Sequence, residues 1–146
     1  MEINQFYIAG EFVAPNGKEK IDLINPATEE KVGHVLSGSG IDVNQAVNAA
    51  KKAFLAASSL SLEQKKTILQ EIIDGMDERR EEFAQVISQE MGAPIKVARG
   101  AQFSSGKVHF ANTLKVIDNF NFSEVHDNIT LNKLPIGPVG MITPWN

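Results

Sequence analysis

The hydrophobic pattern of this chain changes its period near residue 42, and the change separates two kinds of predicted structure. Upstream of it, short runs of aromatic and β-branched residues alternate with turn signals, which is typical of β-hairpins. Downstream, apolar residues recur at helical spacing, as they do along one face of an amphipathic helix. The pattern therefore predicts β-hairpins over residues 1–37, helices over residues 42–122, and a strand followed by a loop over residues 129–146.

Turn signals divide the N-terminal region into short strands. Residues 6–13 place aromatic and β-branched side chains on both sides of a central glycine, and Asn16-Gly17 is a strong local turn signal. Residues 21–36 form two further strand-like runs on either side of Asn25, which precedes a proline, and an Asn-Pro pair favours a turn. We therefore expect this region to form hairpins.

Capping signals set the predicted ends of the first helices. Asp42 is predicted as an N-cap with Gln45 three residues on, and Ser61 with Gln64 has the spacing of a second capping box. Gly75 is expected to end or kink the second helix, because glycine is a poor helix former.

A third and a fourth helix are predicted on either side of a Gly-Ala-Pro break. Asp77, Glu78, Glu81 and Glu82 place acidic charge favourably at the N-terminus of the third helix. Gly92 is the expected C-terminal stop of that helix, and Pro94 suits the first turn of the next one. The side chains predicted to face a core lie at helical spacing in each segment: Val43, Ala46, Val47, Ala50 and Phe54; Leu62, Leu69, Ile72, Ile73 and Met76; Phe83, Val86, Ile87 and Met91; Phe103, Phe110, Leu114 and Ile117.

Charge and composition exclude several classes of partner. The net charge is −4, and the adjacent arginines Arg79 and Arg80 lie among acidic residues, so no nucleic-acid partner is expected. Apolar runs are too short to span a membrane, and the N-terminus lacks a signal-peptide pattern, so we expect a cytoplasmic protein without a membrane partner. The chain has no cysteine, and His34, His109 and His126 are dispersed, so no metal site is predicted.

A short glycine-rich turn at Gly38-Ser39-Gly40 occupies the place where a dinucleotide-binding turn would lie, between a strand and a helix. Val43 stands where the third glycine of such a turn allows close helix–strand packing. Because the expected acidic residue at the end of a second strand is missing too, these residues are interpreted as a linker and a helix start.

The C-terminal residues 134–146 combine three prolines, two glycines and the single tryptophan around the apolar run 139–142. A short apolar run bounded by Gly and Pro predicts a buried strand that leads into a loop. On spacing alone, the terminal Asn146 is an ordinary loop residue after a Pro-Trp turn.

Three stretches resemble the NAD(P)-dependent aldehyde dehydrogenases: residues 25–54, with Asn-Pro-Ala-Thr-Glu-Glu-Lys-Val-Gly; residues 83–99, with the glycine and proline that separate two helices; and residues 134–146, ending in Pro-Trp-Asn. They occur in the family's order and cover much of the chain. One departure is that Leu55 follows Phe54 where the family commonly has a tryptophan.

The resemblance implies an α/β fold with a Rossmann-like coenzyme domain, of which residues 1–146 would be an incomplete N-terminal part, rich in helices and with a C-terminal strand. It implies that Asn146 is the side-chain half of the oxyanion hole. It also implies that Ile142, Thr143, Pro144 and Trp145 line the coenzyme, although Trp145 could equally be a core aromatic.

The same resemblance implies a small aldehyde as substrate and NAD or NADP as coenzyme. The unpaired apolar edge at residues 139–142 and the uncovered helix stripes predict a homo-oligomer. The family's nucleophilic cysteine and general-base glutamate would lie beyond residue 146, so we expect this chain alone to be inactive and to bind no coenzyme. The alternative is a non-catalytic helical module that self-associates or binds a partner. The sequence indicates neither the particular aldehyde nor a preference between NAD and NADP.

Overall fold

The computed structural model describes residues 2–143, which fall into two units. Of these residues, one unit comprises 2–3, 20–36 and 61–120, and the other comprises 4–19, 37–60 and 121–143. The elements in chain order are β1 (Glu2–Ile3), β2 (Phe6–Ile8), β3 (Glu11–Val13), β4 (Lys20–Ile24), β5 (Lys31–Leu36), α1 (Gly40–Ser58), α2 (Leu62–Glu78), α3 (Arg80–Met91), α4 (Ile95–Val97), a π-helical turn (Ala98–Gln102), α5 (Phe103–Ile117), β6 (Ser123–His126) and β7 (Ile129–Asn132).

The sheet of the first unit has the order β1-β5-β4. Strands β4 and β5 are antiparallel, with Lys20 opposite Leu36, and β1 pairs with β5 in parallel. The predicted turn connects β4 and β5. In it, Asn25 Oδ1 accepts a hydrogen bond of 2.9 Å from the Ala27 N–H, a local bond that stabilises Asx turns. The predicted hairpin over residues 21–36 is therefore confirmed.

The N-terminus of α2 forms the predicted capping box. Ser61 Oγ accepts from the Gln64 N–H at 3.2 Å, and Gln64 Oε1 accepts from the Ser61 N–H at 2.8 Å. Gly75 does not end this helix, because α2 continues to Glu78, so that part of the prediction is wrong. One glycine costs a helix only about 1 kcal/mol relative to alanine, which the remaining turns can outweigh.

Gly92 ends α3 in the left-handed conformation, with φ 71°, and its N–H donates to the Ser88 carbonyl at 3.0 Å. This confirms the predicted C-terminal stop. A Cβ at position 92 would lie 2.9 Å from the Ala27 nitrogen and 2.9 Å from Pro26 Cγ. Both the backbone conformation and the close approach therefore require glycine.

The core of the first unit is small and is built around α3. Ala84, Ile87 and Ala98 are buried together, with Met91 and Ile95 packed against them. Phe83 and Val86, which were predicted to face the core, are exposed beyond a third of their surface, so that part of the prediction is wrong. The helix presents only a narrow buried stripe within the described residues.

Phe103 is the large side chain most completely buried in this unit, with 2% of its surface exposed. Its ring centroid lies 5.8 Å from that of Phe83, and the Arg80 guanidinium lies 4.5 Å from its centre. Nearby, the Arg99 guanidinium of the π-helical turn donates two hydrogen bonds of 2.7 Å to the Glu81 carboxylate. These bonds, together with one from Gln85, lower the pKa of Glu81 to about 2.

In the second unit, β2 and β3 form a hairpin in which Phe6 lies opposite Val13. Its two turn residues, Ala9 and Gly10, have φ of 56° and 89°, as a type I′ turn requires. This confirms the predicted hairpin over residues 6–13. The chain bends at Asn16, as the turn signal predicts, but the bend does not join a hairpin, because β3 pairs with β2 whereas β4 pairs with β5.

Helix α1 begins earlier than predicted. Ser39 is the N-cap, so the assignment of that role to Asp42 is wrong, and Asp42 is instead a buried residue of the first turn. The predicted apolar stripe is present, but Val43, Ala46, Val47 and Ala50 are exposed. No described residue buries these four side chains, so the apolar face of α1 is exposed to solvent.

Strands β6 and β7 form an antiparallel hairpin with Ser123 opposite Asn132. The strand predicted at residues 139–142 is absent, since residues 133–143 have no regular secondary structure and their apolar side chains are exposed. A strand requires a neighbour for its backbone N–H and C=O groups, and no described strand pairs with this segment. The prediction of a buried strand is therefore wrong for this chain by itself.

Candidate functional site

The β6–β7 hairpin fixes the point from which the C-terminal segment leaves. The Lys133 N–H donates to the Phe122 carbonyl at 2.9 Å, and its Nζ donates to the Asn121 carbonyl at 2.9 Å. The same ammonium group pairs with the Glu124 carboxylate and holds the pKa of that carboxyl below its usual value. Lys133 thus closes the base of the hairpin and anchors the start of the segment.

Residues 134–143 then extend without regular structure. Gly137 has φ 115°, and the prolines on either side of it, Pro135 and Pro138, lack an N–H group that could join a sheet. Five large apolar side chains of this segment are exposed: Leu134, Ile136, Val139, Met141 and Ile142. A contiguous exposed apolar surface of this kind marks a place where other protein surface or a ligand packs.

The predicted site residues lie at the end of this segment. Ile142 has 100% of its surface exposed, and Thr143 is exposed beside it. No described residue therefore covers Ile142. Pro144, Trp145 and Asn146 lie outside the described residues, so their predicted roles remain predictions.

A second polar cluster surrounds the carboxylate of Asp42, which is 4% exposed. Oδ1 accepts from the Asn16 N–H at 2.9 Å and from Asn16 Nδ2 at 2.8 Å. Oδ2 accepts from Ser39 N at 2.7 Å, Ser39 Oγ at 2.8 Å and Gly17 N at 3.3 Å. The bonds from Asn16 and then from Ser39 lower the pKa of this carboxyl far below its ordinary value.

Sequence reasoning missed this cluster. Its signal is the spacing of Ser39 and Asp42, which is that of a capping box with aspartate at the third helical position. The partner that completes the cluster, Asn16, is far away in the sequence, so no local pattern predicts it.

An open groove of about 640 Å³ lies between the β2–β3 turn and α1. Its floor is lined by alanines of α1, including Ala46, Ala50 and Ala53, and its rim by Tyr7. Lys52 is the one charged residue among those that line it, so the groove lacks an acid–base pair. It provides shape for packing rather than groups for chemistry.

Residues 2–143 contain neither a cluster of metal ligands nor a membrane-spanning helix. No three His, Asp or Glu side chains of this part of the chain lie close enough together to hold a metal ion. None of its helices combines the length and the hydropathy that crossing a bilayer requires.

The α/β fold of solved aldehyde dehydrogenases matches the fold of this chain. A mutant aldehyde dehydrogenase C of Pseudomonas syringae, solved with NAD+ and octanal, is 39% identical with a TM-score of 0.85. An aldehyde dehydrogenase of Bartonella henselae is 34% identical with a TM-score of 0.83. Each comparison covers 88% of this chain and 27% of the solved chain.

The sequence model of the aldehyde dehydrogenase family matches residues 12–146, and the chain belongs to this family. A protein of Staphylococcus aureus (strain bovine RF122 / ET3-1) that carries the name of an aldehyde dehydrogenase is 37% identical over 140 residues. That match covers 96% of this chain and 30% of the relative, so the chain spans about 30% of the length of the curated relative. The resemblance and the fold class are thereby confirmed.

Proposed function

We propose that these 146 residues are the N-terminal part of an enzyme that oxidises an aldehyde to a carboxylic acid with NAD or NADP. The observation that carries the proposal is the family match, which extends from residue 12 to Asn146 in a single stretch. The complex of the Pseudomonas syringae relative with NAD+ and octanal supports the same coenzyme and substrate class.

Asn146 is proposed to stabilise negative charge on the substrate oxygen. When a thiolate adds to an aldehyde carbon, the carbonyl oxygen becomes an oxyanion in the tetrahedral adduct. The amide N–H of asparagine can donate a hydrogen bond to that oxygen without itself titrating. A fixed neutral donor therefore lowers the barrier to thiolate addition, and it adds no charge to the site when no substrate is bound.

Ile142, Thr143, Pro144 and Trp145 are proposed to line the coenzyme, which would supply a hydride acceptor for oxidation of the aldehyde. The exposed apolar surface of Ile142 fits contact with a flat ring. However, no described residue faces Ile142 from the other side, so these residues would supply only one wall of a site. We infer that the chain by itself binds no coenzyme.

We expect no turnover when the purified 146-residue chain is incubated with an aldehyde and NAD or NADP, because these residues contain no cysteine to form the covalent adduct. The absorbance of the reduced coenzyme measures this directly. A longer protein that contains the segment, assayed in parallel, is the positive control. Turnover that persists through repurification of the short chain would contradict the prediction.

A second candidate is a non-catalytic module that self-associates, and exposed apolar surface favours it. One such surface is residues 134–143, and another is the stripe of α1 that contains Val43 and Val47. Apolar segments and unpaired backbone of this kind are templates for association with another chain. Sequencing the gene beyond codon 146 separates the candidates, since continuation to a cysteine supports the enzyme and a stop codon supports the module.

We expect the isolated chain to form oligomers at micromolar concentration, measured by light scattering. The double substitution Met141→Lys with Ile142→Lys should shift it toward monomer, because it places charge on fully open apolar side chains. The matched control, Ser104→Lys with Ser105→Lys on the exposed side of α5, should leave the mass unchanged. A compact monomer of the unmodified chain would count against self-association.

A further inference from the structure

The dipeptide Asn16-Gly17 is the one Asn-Gly pair in the sequence, and such pairs are chemically labile. The backbone nitrogen of the glycine can attack the asparagine side-chain carbon. A new C–N bond then closes a succinimide ring, and ammonia leaves. One water molecule opens the ring to aspartate or isoaspartate, so the net change is an amide converted to a carboxylate.

The glycine cannot be exchanged for a less reactive neighbour. A Cβ at position 17 would lie 2.2 Å from the Ser37 carbonyl oxygen and 3.0 Å from the Gly38 carbonyl carbon. Backbone contacts this close leave no space for any side chain. The fold therefore retains a labile dipeptide at this position and requires another means of keeping it intact.

Both groups that would react donate hydrogen bonds to the same carboxylate. The attacking nitrogen, Gly17 N, donates to Asp42 Oδ2 at 3.3 Å, and the leaving nitrogen, Asn16 Nδ2, donates to Asp42 Oδ1 at 2.8 Å. The Asn16 N–H donates to Oδ1 as well, at 2.9 Å. Ser39 holds the carboxylate from the other side through its N–H and Oγ, so Asp42 is fixed at the start of α1.

This arrangement opposes succinimide formation in two ways. The Gly17 nitrogen must lose its proton to become a nucleophile, and a neighbouring negative charge disfavours a second one. The Asn16 amide must also turn toward Gly17, which breaks its bond to a buried carboxylate. Bonds to ionised groups are among the stronger ones in proteins, so this reorientation is disfavoured.

We propose that Asn16 is a deamidation site that Asp42 keeps unreactive in the folded protein, and that its deamidation releases the loop from α1. The aspartate product carries a carboxylate where the Nδ2 donor was, and the isoaspartate product routes the main chain through the former side-chain carbon. In the aspartate product, two carboxylates face each other without a donor between them. In both products the bond from Asn16 Nδ2 to Asp42 is lost, which weakens the contact between the loop and α1.

The first experiment follows deamidation at Asn16 by peptide mass spectrometry during incubation at mildly alkaline pH. In folded protein, Asp42→Asn should raise the rate by roughly tenfold, as expected when a hydrogen-bonded segment opens more often. Asp118→Asn is the matched control, because it makes the same chemical change at an exposed carboxylate whose partner is Lys66. In concentrated urea, the unsubstituted protein, Asp42→Asn and Asp118→Asn should all deamidate at Asn16 at the same rate.

An equal or lower rate in folded Asp42→Asn would overturn the proposal, and a lower rate would identify the carboxylate as a base that promotes the reaction. Should that variant fail to fold, Asn16→Asp tests the product directly. Hydrogen exchange at the amides of residues 16 and 17, which donate to Asp42, should then accelerate by about tenfold. Asn44→Asp, at an exposed position of α1, should leave these amides unchanged.

The swapped variant, Asn16→Asp with Asp42→Asn, restores a donor opposite an acceptor between the two side chains. It should recover part of the protection that Asn16→Asp loses. If exchange at Gly17 is unchanged in Asn16→Asp, the contact with Asp42 does not hold the loop and the proposal fails.

Discussion

Replacing Asn146 by alanine is expected to lower kcat for aldehyde oxidation by about 10²–10³-fold in a longer protein that contains this chain, as the loss of one oxyanion donor typically does. The Michaelis constant should change far less, because the donor acts on charge that develops during thiolate addition. Steady-state rates with an aldehyde and NAD measure both quantities.

The matched control is Asn128→Ala, which removes an exposed asparagine from the turn between β6 and β7. Its kcat should equal that of the unsubstituted protein. If Asn146→Ala oxidised aldehydes at the full rate, the proposed role of the C-terminal segment would be wrong, while the family membership and the fold would stand.

Replacing Phe103 by alanine is expected to lower the free energy of unfolding by about 3–5 kcal/mol, the usual cost of deleting a buried aromatic ring. The ring is nearly inaccessible and contacts both Phe83 and the Arg80 guanidinium, so all of these contacts are lost together. Urea unfolding followed by circular dichroism measures the change. A loss of that size is a large share of the stability of a typical domain.

Val116→Ala on the same helix is the control, since Val116 is mostly exposed. It should change the free energy of unfolding by less than about 0.5 kcal/mol, as surface substitutions usually do. Equal effects of the two substitutions would show that α5 is not anchored through Phe103.

Local signals predicted local structure well. The capping box of Ser61 and Gln64, the strand Lys31–Leu36 and the glycine stop at Gly92 are all where the sequence indicated. Each is determined by interactions within a few residues, so the information lies within a short window of sequence. Gly75 is the exception, because a glycine propensity is weak compared with the continuity of a whole helix.

Signals that depend on distant residues were misread. Asn16-Gly17 has the composition of a hairpin turn, yet the structure uses it as a loop bound to Asp42. Asp42 itself suits an N-cap, but Ser39, three residues earlier, takes that position and leaves the carboxylate to bind the loop. Turn chemistry shows that a segment bends; it does not show which side chain receives its N–H groups.

Burial was predicted where this chain cannot provide it. The apolar run at residues 139–142 and the stripe of α1 have the composition of packed elements, but both are exposed among the described residues. The chain spans about 30% of the length of the curated relative, and no described residue covers these side chains. The composition of a strand or helix shows that its apolar side chains favour burial, but it does not show which other element covers them.

The candidate site was predicted from the resemblance rather than from periodicity. Ile142 and Thr143 lie at the end of an anchored, exposed segment, which suits residues that line a wall of a binding site. Spacing alone gives Asn146 no special role, since asparagine is common in turns.

The left-handed end of α3 has an evolutionary consequence. Because Gly92 lies against Pro26 and Ala27, the two segments restrict each other's mutations although they are far apart in the sequence. Moving the Asn-Pro turn would not by itself admit a side chain at position 92, because the left-handed backbone still favours glycine. A change of Gly92 is therefore expected to require changes in both segments.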